Sequence, residues 1–171
     1  NLDQQAFDST NGYNNQSATT VNLFIPGHTK LGSGVFKNSR AWRIIYGEGI
    51  TGLPSEISRD NKTMRLLVLP STCTSLESYA LGSVRNMTEM YVLSNELTIG
   101  NSVFTEIGEE DAGTKGYNIT VMNEKVKNAI LTAAPKFDAD KFGLPLIPLR
   151  LWLTLQKITT FIPTIQLRCR R

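Results

Sequence analysis

Apolar residues in this chain recur in a fixed set of columns. Across residues 65–81 and 88–104, Leu67 falls over Met90, Leu69 over Val92, Leu76 over Ile99, Ala80 over Val103 and Leu81 over Phe104, each pair 23 residues apart. A period of this size marks an array in which each short unit buries its apolar face against its neighbours. The same template finds an earlier copy with Ile44, Tyr46, Leu53, Ile57 and Ser58, where only the last column is poorly filled. One step further back it finds Leu23, Ile25, Leu31, Val35 and Phe36. Leu2, Ala6 and Phe7 repeat the spacing of Leu31, Val35 and Phe36, so the chain is expected to begin in the middle of a unit.

The columns predict the elements of a unit. Columns one and two are two residues apart and point to one face of a strand. Pro26, Gly47, Pro70 or Leu93 follows, and proline or glycine there stops the ladder. A short extended segment leads to column three, and columns four and five, adjacent to each other, suit a tight bend. One unit cannot offset the ordering entropy of its own backbone, roughly 1–2 kcal/mol per residue, so stacking must supply burial on both sides, and the ends need caps.

Polar insertions are expected near residues 8–19 and 105–116, the second acidic and glycine-containing. Ile119 and Val121 resume the strand columns. Residues 123–134 hold good helix formers with Val126, Ala129 and Ile130 on one face, and Pro135 ends that segment. The array therefore spans residues 1–134, and residues 135–171 form a C-terminal capping segment or basic tail. Within it Leu149, Leu151, Leu153 and Leu155 alternate with polar residues and Trp152, as do Ile165, Leu167 and Cys169 later, a pattern of half-buried strands. An amphipathic membrane-associating tail is the alternative, weakened by the two-residue period.

With 171 residues and 40% hydrophobic composition the chain can bury a sizeable core. Charged residues make up 19%, which argues against both an acidic disordered chain and a dedicated nucleic-acid binder. The net charge of +3 is uneven: Arg150, Lys157, Arg168, Arg170 and Arg171 have no acid among them, which leaves the preceding chain slightly negative. No apolar run reaches membrane-spanning length. Cys73 and Cys169 are too few for a disulfide scaffold, and the sequons at Asn15, Asn61, Asn86 and Asn118 are read as chance matches in a chain rich in Asn, Ser and Thr.

The segments MRLLVLPSTCTSLESYAL and MTEMYVLSNELTIGNSVF resemble the BspA-like leucine-rich repeat, whose unit reads approximately L-t-x-I-x-I-P-x-x-V-t-x-I-g-x-x-A-F. The resemblance covers residues 1–127 and departs from the pattern at Ser58, at Leu93 in place of proline, and after Phe142. It implies a mainly β repeat solenoid of short strands and turns, with a parallel sheet on one face. It also implies a secreted or cell-surface protein of the kind familiar from Bacteroides-like gut and oral bacteria and some parasitic protists, with adhesion to host matrix or plasma proteins, or to other cells, as its function.

Catalytic chemistry finds little support. His28, the only histidine, lies in a turn beside Gly27 with no second histidine or cysteine near it in sequence. Glu109, Glu110 and Asp111 lack the alternating oxygen spacing of a calcium loop. Gly32 and Gly34 lack the helix and lysine of a phosphate loop. The expectation is a non-enzymatic chain without cofactor or metal, and without a nucleic-acid partner or membrane span. The informative positions are Phe24, Ile45, Val68 and Tyr91, one per unit on the strand face turned away from the core, flanked by Asn22, Arg43, Leu66 and Glu89. Such a row is a contact surface for a protein partner, a face covered by the chain's own insertions or tail, or simple β-propensity. The partner-binding set is taken as Phe24, Ile45, Val68, Tyr91, Arg43, Leu66 and Glu89. The alternative function is a structural spacer that positions another domain. A glycan surface built on Tyr91, Trp42 and Trp152 is less well supported, because Trp42 is read as lying in a connection between units.

Overall fold

The computed structural model describes Leu2, residues 21–107 and residues 117–144. Nine strands run through it: β1 (Val21–Ile25), β2 (Ala41–Tyr46), β3 (Gly52–Leu53), β4 (Leu66–Leu69), β5 (Ser75–Leu76), β6 (Glu89–Val92), β7 (Thr98–Ile99), β8 (Asn118–Val121) and β9 (Phe142–Gly143). They form two parallel sheets in sequence order, β1-β2-β4-β6-β8-β9 and β3-β5-β7, so the architecture is mainly β with a repeat-like parallel sheet.

The register follows the apolar columns. Leu23 pairs with Ile44, Ile44 with Leu67, Leu67 with Met90 and Met90 with Ile119. Leu53 pairs with Leu76 and Leu76 with Ile99 in the smaller sheet. Leu2 forms a parallel bridge to Leu31, where the third column placed it. Inward residues are sealed: Ile44, Leu67, Leu69 and Val121 are 0% exposed. Fully burying a side chain of this kind contributes about 1.5–3 kcal/mol.

Two departures from the unit pattern have physical reasons. Ser58 fills the fifth column poorly, yet it is fully buried, and the hydroxyl of the fully buried Tyr46 in the same unit lies near it. The Tyr46 and Ser58 hydroxyls approach without reaching hydrogen-bond geometry, and burial pushes the Tyr46 phenol far above its usual value. Leu93, standing where a proline is usual, donates its backbone N–H to the Leu69 carbonyl at 3.1 Å, a bond that proline could not make.

The bends carry a second ladder that the apolar pattern does not reveal. Gly34, Glu56, Tyr79 and Ser102 occupy one left-handed column, with φ of 63°, 57°, 58° and 55°. Asn38, Asp60, Ser83 and Glu106 occupy another, with φ between 53° and 58°. Side chains with a Cβ are strained in this conformation, Glu and Tyr more than Asn or Asp. Hydrogen bonds between units hold it: the N–H groups of Gly34, Phe36 and Asn38 donate to the carbonyls of Ser55, Ile57 and Arg59, and those of Glu56, Ser58 and Asp60 to Ser78, Ala80 and Gly82. The turns after β1 and β2 also meet closely, since a Cβ on Gly27 would fall 1.6 Å from the Glu48 carbonyl oxygen.

Helix α1 (Glu124–Ala133) closes the end beyond β8 and buries Val126 and Ile130, as its pattern predicted. Asn123 caps it, its side chain accepting from the Val126 N–H at 2.9 Å, and the helix stops just before Pro135. Ordered structure continues past Ala134: Phe137 joins the core and β9 pairs with β8. The insertion at residues 8–19, most of that at 105–116, and the strands expected after Leu149 lie outside the described residues.

Candidate functional site

The strand register brings the predicted row together. Phe24 pairs with Ile45, Ile45 with Val68 and Val68 with Tyr91, and Thr120 follows Tyr91. Adjacent strands stand about 4.8 Å apart, so the four side chains span roughly 14 Å. The flanking column of Asn22, Arg43, Leu66, Glu89 and Asn118 is also in register. Strand alternation is the cause, since Leu23, Ile44, Leu67 and Met90 point inward and their neighbours must point away. Phe24, Ile45, Val68 and Tyr91 are each half-buried, as are Leu66 and Glu89, whereas Asn22 and Arg43 are exposed.

Local contacts fix several of these groups. The Phe24 ring lies over the backbone at Gly47, where a Cβ would fall 3.2 Å from the ring edge. The Tyr91 hydroxyl donates to Glu89 Oε2 at 3.1 Å. Partial burial, followed by that carboxylate, pushes the phenol above its usual value and keeps it a proton donor. The Arg43 guanidinium stacks 4.3 Å over the Trp42 ring. Trp42 itself lies within β2 rather than in a connection, which corrects its expected placement. The result is an apolar stripe with a cation on β2 and a carboxylate on β6. Trp152 lies outside the described residues.

Cys73 is a buried free thiol whose pKa is pushed up to about 11, chiefly by burial, so it stays protonated. His28 is exposed. Among the described residues no group of three or more His, Cys, Asp or Glu is placed to hold a metal, and no helix is long and apolar enough to cross a membrane. An open groove of about 360 Å³ lies along β3, lined by Thr29, Leu31, Ile50, Leu53, Ser75 and Glu77 among others. Its carboxylate, Glu77, already accepts from the Ser55 N–H and hydroxyl, both at 3.0 Å.

Sequence reasoning missed the buried polar anchor Asn61. Its amide donates to Ser39 Oγ (3.0 Å) and the Ala41 carbonyl (3.1 Å), while its oxygen accepts from Thr63 and Met64 N–H, both at 3.2 Å. Asn-x-Thr at this place is therefore a turn-locking device: the asparagine is 0% exposed, which removes it as a glycan acceptor in the folded chain. Asn86 similarly donates to the Lys62 carbonyl, and Asn118 is exposed. The signal was the Asn-x-Thr spacing just before a strand, where Asn side chains satisfy local backbone donors.

Compared with protein-family models, with curated proteins and with solved structures, the chain matches none.

Proposed function

We propose that this chain is a non-catalytic protein-binding module built from BspA-like leucine-rich repeats of about 23 residues. It belongs to a secreted or cell-surface bacterial protein and attaches to host matrix or plasma proteins, or to other cells, through the face bearing Phe24, Ile45, Val68 and Tyr91. The observation that carries this reading is the unbroken register of those four side chains on consecutive strands, each half-buried rather than sealed. Aromatic members of such a row serve as anchors when desolvated, with Arg43 and Glu89 at its margin setting orientation.

The test is binding of the chain to immobilised fibronectin, fibrinogen and a panel of surface glycans, beside a Val68→Glu, Tyr91→Glu double variant whose fold is checked by circular dichroism. Binding that disappears in the folded variant supports the proposal and locates its surface. Binding that the substitutions leave intact means another face is used. Absence of binding by either protein favours a structural spacer.

A further inference from the structure

One exposed side chain on the sheet face is posed by a break in the strand register. β1 and β2 pair Val21 with Ala41 and Asn22 with Arg43, so Trp42 has no opposite residue on β1. β2 with β4, and β4 with β6, pair residue for residue without such a break. An extra residue of this kind kinks its strand and re-aims the side chains around it. Trp42 stays tied to the next unit, its carbonyl accepting from the Arg65 N–H at 2.8 Å. Its half-buried indole lies under the Arg43 guanidinium, 4.3 Å from the ring centroid. Arg43 itself is exposed and makes no ion pair with the described residues. A stacked guanidinium presents its planar fork of N–H donors with little rotamer freedom left to lose on binding.

The neighbours of that fork decide what it suits. In its column stand the exposed Asn22 on β1, Leu66 on β4, Glu89 on β6 and the exposed Asn118 on β8. Arg43 is the cation of this column and Glu89 its acid, two strands away or about 9.6 Å. Arg65, just before β4, turns its guanidinium to the Asn86 carbonyl at 3.4 Å. A sulfated or phosphorylated polymer needs several cations in line and would be repelled at Glu89, whereas a single carboxylate needs one fork, which it can accept bidentately. Two residues along the strands from this column runs the apolar row of Phe24, Ile45, Val68 and Tyr91. An extended segment repeats its side chains on one face about every 6.6 Å, the same spacing that separates Arg43 from Ile45. Resting on the reading of this face as a protein-binding surface, we infer that Arg43, posed by Trp42, takes an aspartate or glutamate carboxylate from an extended partner segment. The next side chain but one in that segment is apolar and packs on Ile45. The ion pair fixes where the segment sits, the apolar contact contributes area, and Trp42 acts as a positioning residue through Arg43.

The experiment titrates the isotopically labelled full chain, by NMR, with the capped peptide acetyl-Thr-Thr-Glu-Thr-Ile-Thr-Thr-amide and with the same peptide carrying Gln in place of Glu. Saturable shifts are expected at the Arg43 Nε–H, the Trp42 indole N–H and the Ile45 amide, with the Glu peptide bound about fivefold or more tighter than the Gln peptide. Arg43→Gln should bring the two peptides to equal affinity. Trp42→Ala should weaken the Glu peptide about two- to fivefold and leave the Gln peptide unchanged, a split that a general loss of structure would not produce. Because Arg43 is exposed, the Arg43→Gln protein keeps the test decisive if the Trp42 variant misfolds. Equal affinity of the unaltered chain for both peptides, with Ile45 and Val68 still shifting, would overturn the role of Arg43 and leave the face standing as a binding surface. No saturable shift on this face with either peptide would overturn both. Inorganic sulfate shifting Arg43 as strongly as the Glu peptide would mark a general anion site and overturn the assignment to a polypeptide carboxylate.

Discussion

At the α1 end of the sheet, residues outside the unit pattern do the closing. Phe137 stacks against Phe104, Tyr117 and Phe142 with ring centroids 5.6, 5.2 and 6.5 Å apart. The Asp138 N–H donates to the Tyr117 hydroxyl at 3.1 Å, and Asn123 ties the helix start to the Asn95 carbonyl at 3.0 Å. At the β1 end the same apolar columns persist, but Leu23 remains half-covered where Ile119, at the other end of its column, is sealed. Repetition stabilises the interior equally wherever a unit has two neighbours, and it has no means of ending itself. A terminus must be closed by sequence that breaks the pattern or by something that continues it.

The sharpest probe of this contrast is Phe137→Ala. Removing a ring that touches three others should cost about 3–5 kcal/mol in urea unfolding. A loss below about 1 kcal/mol would mean that the aromatic cluster is not what seals this end. Leu23→Ala, in a column where inner residues are buried, should cost only about 1 kcal/mol, because its surroundings are half solvent. A cost equal to that of Leu67→Ala in the same assay would show the β1 end to be as well covered as the interior. The smallest effect concerns an interior bend. Lys37 (2.8 Å) and Arg59 hydrogen-bond to Glu56 and hold its carboxyl below the ordinary value of 4.5. A carboxylate lowered on folding adds stability that is present above that value and is lost as pH falls through the folded-state pKa. The Glu56 side chain is 33% exposed, so solvent screening limits the contribution to a few tenths of a kcal/mol. Lys37→Ala should raise the Glu56 titration midpoint, followed by carboxyl NMR, and leave both ends unchanged.

Much of the sheet was legible because its cause is periodic. Columns from Leu23 to Met90 predicted the register, and Val126 and Ile130 predicted the helix face, since burial selects residue type directly. The row from Phe24 to Tyr91 followed from strand alternation alone. What stayed hidden depends on backbone geometry or on pairwise compensation. Glu56, Tyr79 and Ser102 are not residue types that favour positive φ, so no composition signal marks their column. Ser58 looked like a defect in the column, yet it is fully buried, with the Tyr46 hydroxyl close by. Asn61 read as one more Asn-x-Thr match because its five side-chain hydrogen bonds join groups from several parts of the turn.

The bend ladder gives the molecule a direction in time as well as in space. Each donor set points forward: Gly34, Phe36 and Asn38 require carbonyls at Ser55, Ile57 and Arg59, and Glu56, Ser58 and Asp60 require those at Ser78, Ala80 and Gly82. In a polypeptide synthesised from its N-terminus, a bend is left with unsatisfied amides and strained left-handed residues until about 20 further residues have emerged. The strand ladder includes bonds of the opposite kind, such as the Gly47 N–H reaching back to the Ile25 carbonyl that is already present. The geometry is that of a zip: each added unit supplies the carbonyls that satisfy the bend made before it.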